Sequence, residues 1–150
     1  MSLKLFQRLE MNHLLTFVIL MSVAVTSYAQ KVTLNLSEIR SNKGQIEVSI
    51  YETAQQFKEE KPARYVYFDK KSLKDGKMTI TMQLKPGHYG LTFLDDEDGS
   101  NGMTFKMGFY PKEGVGFSNF PFKGVSKPKF TDFSFDLKED KVIEVKFRYF

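Results

Sequence analysis

The chain has 150 residues, 22 of them basic and 18 acidic, for a net charge of +4, and it contains neither cysteine nor tryptophan. Without cysteine, disulfides, thiol catalysis, cysteine-ligated metals and a lipid-modified N-terminal cysteine are excluded. The small positive excess is scattered among acids, which excludes the clustered basic face that nucleic-acid binding requires.

Residues 14–25 form an apolar run followed by Ser27-Tyr28-Ala29, the layout of a secretory signal peptide cleaved after Ala29. The run is shorter than the ~20 residues a spanning helix needs. An uncleaved anchor is the alternative reading. Starting at Met1, Lys4 and Arg8 supply the positive leader end; starting at Met11, the leader has a more usual length but only Asn12 and His13 there. Both starts are open. Loss of residues 1–29 leaves 30–150 as one domain of 121 residues, with 20 basic and 17 acidic side chains and a net charge of +3. The expected location is periplasmic or secreted, with no membrane span after cleavage. A domain of that size buries roughly two-thirds of its unfolded surface, and 13 Phe and 6 Tyr supply much of the apolar material.

Val32, Leu34 and Leu36 alternate with polar residues, so residues 32–39 are predicted as a strand with one buried face. Ser41-Asn42-Lys43-Gly44 has turn chemistry, and Ile46, Val48 and Ile50 resume the alternation over 45–51, closing a hairpin. Residues 52–62 lack periodicity and read as a loop with one helical turn at 54–58, where Phe57 tucks over a sheet end. Residues 64–68 read as an edge strand, and Asp69-Lys70-Lys71 as a solvated turn. After Asp75-Gly76, Met78, Ile80, Met82 and Leu84 give the cleanest strand, ended by a type II turn at Pro86-Gly87. Tyr89, Leu91 and Phe93 form the next. Beyond a long excursion, Phe133, Phe135 and Leu137, then Ile143, Val145, Phe147 and Tyr149, complete about seven strands. Short turns and no long helix point to an all-β fold, an antiparallel sandwich of immunoglobulin-like or transthyretin-like form. An outer-membrane barrel is the alternative, although its strands run to nine to eleven residues and those here are mostly five to eight.

The excursion carries the candidate chemistry. Asp95 to Asp98, then Gly99-Ser100-Asn101-Gly102, concentrate the oxygen ligands a hard cation such as calcium takes, with Asp96, Asp98 and Asn101 as candidate ligands. The match to an EF-hand loop is poor: with Asp96 first, Asn101 stands where glycine belongs and Met107 where the bidentate glutamate belongs. A solvated acidic loop is the other reading. His88, the one histidine left after leader removal, with Asp98 or Asp95 and Glu113, would make a hydrolase. Such a carboxylate pair is defined by separations of about 5 to 9.5 Å, which spacing in sequence does not supply. Residues 107–122 combine glycines with aromatics in a long loop, and long ordered loops are uncommon unless functional. Tyr110, Phe117 and Asn119 are the candidate contacts of a binding rim; alternatively these aromatics plug the end of the sandwich.

These motifs resemble a bacterial family of exported proteins, the DUF2141 family, a domain of unknown function. The resemblance spans about residues 34–147. It rests on Ile39-Arg40-Ser41-Asn42-Lys43-Gly44-Gln45-Ile46, Leu84-Lys85-Pro86-Gly87-His88-Tyr89, the acidic tip, Pro111-Lys112-Glu113 with Gly116-Phe117-Ser118-Asn119, and Pro128-Lys129-Phe130. The family tip has the form Asp-x-Asn-Gly-Asn-Gly followed by Lys-Leu-Asp. Here residues 96–102 carry one residue more, and Met103-Thr104-Phe105 stands where the later acid falls, which departs from any inherited cation site. The Pro-Gly-x-Tyr turn is also similar to transthyretin-like and carboxypeptidase-regulatory-like sandwich modules, which implies a fold but no activity. The sequence thus leads to an exported, non-catalytic binding or accessory domain meeting a protein or small ligand at the cell envelope through residues 95–122. A calcium-stabilised structural domain and a hydrolase are the alternatives, and no other cofactor is expected.

Overall fold

The computed structural model describes residues 28–106, 110–124 and 126–150, with backbone alone at Lys106 and Tyr110. The signal-peptide reading therefore falls almost wholly outside the described residues, as do residues 107–109 of the aromatic excursion. In chain order the elements are β1 (Gln30–Ser37), β2 (Gln45–Tyr51), α1 (Ala54–Glu59), β3 (Arg64–Asp69), β4 (Met78–Leu84) and β5 (Gly87–Asp96). There follow β6 (Phe105–Lys106), β7 (Tyr110–Pro111), β8 (Gly114–Phe117), α2 (Phe130–Phe133), β9 (Ser134–Leu137) and β10 (Lys141–Lys146).

The strands fall into two main sheets, ordered β10-β1-β4 and β3-β2-β5-β8, with β9 continuing the β8 side of β5. This is the expected all-β sandwich, and it replaces the barrel alternative. One pairing is parallel: Val32 lies opposite Lys141 and Leu36 opposite Val145, so β1 has an antiparallel neighbour on one side only. Period-two alternation determines which side chains meet. Val32, Leu34 and Leu36 of β1 and Ile143 and Val145 of β10 face Ile46, Val48 and Ile50 of β2 and Leu91 and Phe93 of β5, all buried in one apolar core.

The excursion contains more regular structure than its sequence announces. Gly114–Phe117 is a fully paired strand, Thr92 lying opposite Phe117 and Leu94 opposite Val115. Its short Gly-Val-Gly-Phe segment hides the alternation. Gly116 is required there because a Cβ would stand 2.7 Å from the Val145 side chain across the sandwich. The helical turn predicted near residue 54 is α1. Thr53 accepts from the Gln56 amide at 3.2 Å, a Ser/Thr-type N-cap, and Glu60 closes the far end at φ 57°.

A second apolar cluster lies on the outer face of the larger sheet, where Tyr51, Leu94, Val115 and Phe117 are covered by Phe57 of α1 and by Phe130 and Phe133 of α2. Gly90 admits that layer: a Cβ there would sit 2.6 Å from Phe130 and 2.7 Å from Phe133. Ser118 locks it down, its hydroxyl accepting from the Leu91 amide at 3.1 Å and donating to the Phe133 carbonyl at 2.7 Å. β2 and β5 are therefore covered on the outer face as well over that part of their length.

Of Asp69-Lys70-Lys71, expected as a solvated turn, Asp69 and Lys71 are exposed and Lys70 is buried. Leu91 and Phe93 point into the core, so Asp95, two residues on, points the same way and is fully buried. Lys70, also buried, supplies the opposite charge, and its ammonium donates to the carbonyls of Ser41 at 3.2 Å and Lys43 at 2.6 Å. The Tyr149 hydroxyl donates to the other Asp95 oxygen and accepts from the Arg40 amide at 3.0 Å. Burial and the Asp95 carboxylate push the Tyr149 phenol far above its usual range, which keeps it a donor. Removing one member of a buried pair strands the other charge, so Lys70→Met is expected to cost about 3–5 kcal/mol in urea unfolding. Lys70→Met with Asp95→Leu should recover most of that loss.

Candidate functional site

Register assembles a polar cluster on the outer face of the larger sheet. Directly opposed residues on antiparallel strands share a face, and Tyr67, Glu47, Leu94 and Val115 form one row across β3, β2, β5 and β8. Tyr65, Ser49, Thr92 and Phe117 form the next row. The α1 and α2 layer covers these rows at the Phe117 end but leaves a groove of about 580 Å³ over the rest, with Glu47, Ser49, Tyr51 and Thr92 in its floor. Asn101, Met103, Phe105 and Pro111 make one wall; Phe122, Lys127 and Phe150 make the other.

Glu47 is the unusual group. It is 6% exposed; Oε1 accepts from the Ser49 hydroxyl at 3.1 Å, while Oε2 is buried with no hydrogen-bond partner. The Tyr67 hydroxyl stands close enough to favour the charge, but burial dominates and raises the Glu47 pKa, and the nearby Asp96 charge raises it further. None of the ion pairs among the described residues involves Glu47. Lys127, on the opposite wall, is already engaged by the Phe57 carbonyl at 3.0 Å and Glu60 at 2.8 Å, and lies over the Phe57 ring.

The groove rim is apolar and open. Tyr65, Met103, Phe105 and Phe150 are each 41–48% exposed and all line it.

The residues singled out in the sequence fall as follows. Asp96 is fully buried, which corrects the picture of a wholly solvated acidic tip. Its oxygens accept from the Ser100 amide at 3.0 Å, the Asn101 amide at 3.1 Å and the Gln45 amide group at 3.0 Å, and Gln45 also donates to the Asn101 side chain at 2.9 Å. Asp98 accepts from the Ser100 amide at 3.0 Å. Asp96 and Asn101 are thus brought together as loop-closing groups, and among the described residues no set of three or more His, Asp or Glu side chains is arranged to hold a metal ion.

Glu113, also buried, accepts from the Thr104 amide at 2.9 Å and from its hydroxyl. His88 lies near the opposite end of the ten-residue β5, 2.8 Å from Asp136. The fold therefore separates His88 from the other two members of the hydrolase trio, whereas Asp98 and Glu113 are brought together at the Thr104 hydroxyl, which lies 3.4 Å from Asp98 and also donates to Glu113. Phe117 is 8% exposed; it plugs the second cluster and also forms the apolar end of the groove. Asn119 ties its loop to β10, accepting from the Glu144 amide at 2.9 Å at a left-handed φ of 51°. The Tyr110 backbone pairs with Lys106; its side chain lies outside the described residues.

Glu47 was missed because alternation in residues 45–51 assigns it to the solvent side. The available signal was indirect: a central strand beside a long aromatic excursion has its outer face covered.

Fold and site together define an all-β sandwich with a half-roofed groove on one outer face. A family model described as an uncharacterized protein conserved in bacteria (DUF2141) matches residues 34–145, and the chain belongs to this family. No curated protein and no solved structure matches the chain.

Because burial raises the Glu47 pKa, its stabilising contribution is complete below the ordinary glutamate range of about 4.3 and is lost as pH rises through the raised value. Glu47→Gln is accordingly expected to melt at or above the wild-type temperature at pH 7, and the difference should vanish near pH 3. Asp96→Ala is expected to lose about 1–3 kcal/mol equally in EDTA and in millimolar calcium, as measured by thermal unfolding; a cation role would make the loss calcium-dependent.

Proposed function

We propose that this domain is a non-catalytic binding module of the cell envelope, and that its ligand enters the groove between the outer sheet face and the walls formed by Asn101, Met103, Phe105 and Pro111 and by Phe122, Lys127 and Phe150. The supporting observation is the combination in one groove of a desolvated carboxylate, hydroxyl-bearing neighbours and exposed aromatic rims. Ligand sites are concave, largely apolar and provided with few polar groups, at volumes of about 300–1,000 Å³, and this groove has that composition. Phe105 and Met103 serve as rim contacts and Phe117 closes the apolar end; these residues belong to the 95–122 face expected from the sequence, to which Lys127 and Phe150 are additions.

The non-catalytic part of this reading is supported by His88 being engaged by Asp136, away from the candidate carboxylates, and by Asp98 and Glu113 both being occupied by Thr104. Export is supported by the leader-like layout of residues 14–29, and no helix among the described residues is long and apolar enough to cross a membrane. Removal of residues 1–29 would leave the sandwich in the periplasm or outside the cell.

The uncharged fluorophore N-phenyl-1-naphthylamine tests the reading. It is expected to bind the purified protein at one site with increased emission. Phe105→Ala should weaken that binding at least threefold without moving the melting temperature, because Phe105 is 48% exposed and contributes little to folding. Undiminished binding by Phe105→Ala, or no binding to the wild type, would contradict it.

A further inference from the structure

Resting on the groove as the binding site, we propose that its ligand is an organic cation, an ammonium group at the end of a short hydrocarbon or aryl body, with Glu47 as the counter-ion.

The groove is chemically two-ended. On the β8 side stand Phe117 and Val115 with Phe122, whose ring lies under the Arg148 guanidinium. On the β3 side stand Glu47, Ser49 and Tyr65, with Thr92 between the two. A carboxylate removed from water costs several kcal/mol unless it is paired, and here one oxygen has the Ser49 hydroxyl, while the other, more than nine-tenths buried with its residue, makes no hydrogen bond and has only the Tyr67 hydroxyl near it. The missing element is an opposite charge, since none of the ion pairs among the described residues involves Glu47. An ammonium supplies both that donor and the opposite charge, and charge-assisted hydrogen bonds are about twice as strong as neutral ones.

The neighbours select the sign of the ligand. Tyr67 lies directly across from Glu47 and Tyr65 across from Ser49, so aromatic rings, whose faces attract cations, flank the carboxylate. Asp96 adds a second negative charge nearby. An anionic ligand would meet the Glu47 carboxylate, and Lys127, the cation in the groove lining, is already held by Glu60 and the Phe57 carbonyl. A bare divalent ion is a poor occupant, since calcium takes six to eight oxygen ligands and the floor offers one carboxylate among aromatics. The apolar end requires a body behind the charge. A groove of about 580 Å³ holds a molecule of the phenylalkylammonium size with room for a larger one.

Isothermal titration at pH 7 of the purified protein with 2-phenylethylammonium, and with its uncharged analogue 2-phenylethanol, tests the inference. The expected result is at least tenfold tighter binding of the ammonium, with the advantage lost in Glu47→Gln and the alcohol bound equally by both proteins. Ser49→Ala, which retains the carboxylate, should keep the preference. Equal affinity of the wild type for the two compounds, or a preference that survives in Glu47→Gln, would overturn the cation while leaving the groove intact as a site. Binding of neither compound, together with no binding of N-phenyl-1-naphthylamine, would overturn the groove reading as well.

Discussion

Asp95 occupies a core-facing position at the end of β5, and that constraint organises the part of the molecule from which the site is built. A bare carboxylate there would carry a desolvation cost of several kcal/mol. The fold brings Lys70 from the end of β3, Tyr149 from beyond β10 and the carbonyls of the β1–β2 turn to the same point. Segments from both sheets therefore converge on one carboxylate. Around it, Arg40 pairs with Glu97 and lies 4.4 Å from the centre of the Tyr149 ring, and Arg40 with Ser41 holds the Glu97 carboxyl below its usual range. Gly44, at φ 69°, lets the β1–β2 turn approach the Asp96 backbone, where a Cβ would collide at 1.9 Å. Fixing this corner fixes the acidic tip, and the tip supplies Asn101 and Met103 to the wall of the groove.

The groove is a consequence of incomplete coverage. A five-stranded sheet that packs one face on the core still has an outer face, and the aromatic segment from Ser118 to Phe133 roofs only part of it. The roof is held by few ties, among them Ser118 on β5, Asn119 on β10 and Lys127 on α1. Where the roof stops, a sheet face would ordinarily meet water and carry charged side chains freely. Here the walls rise on both sides, so Glu47 is enclosed without being neutralised. A carboxylate retained in that state works against folding, and groups with perturbed ionisation gather at functional sites. The two features differ in kind: the Asp95 charge has the Lys70 ammonium beside it, whereas Glu47 has hydroxyl neighbours and no cation paired with it among the described residues.

Much of the sandwich was legible. The alternation at Val32, Leu34 and Leu36, at Met78, Ile80, Met82 and Leu84, and at Ile143, Val145 and Phe147 reports burial on one face, and the period survives because the other face is polar. The parallel pairing of β1 with β10 was not legible, because alternation carries no information about strand direction. β8 was hidden by its glycines, which carry no side chain and are needed for close approach to Val145 and Tyr149. Lys70 and Asp95 were read as solvated because local charge density says nothing about a partner 25 residues away. Glu47 illustrates the general difficulty: a polar residue at an outward strand position reads as solvent-exposed unless one knows what lies above the sheet. The long excursion indicated that something covers a face, but not which face or how far the cover extends.

The most direct test of this account is an NMR titration of the Glu47 side-chain carboxyl carbon in the purified protein. A desolvated, unpaired carboxylate gives a midpoint clearly above the ordinary value of about 4.3, and addition of a bound ammonium compound lowers it. A midpoint at or below the ordinary value would mean that Glu47 is hydrated or already paired, and would remove the reason for treating this groove as a cation-binding site.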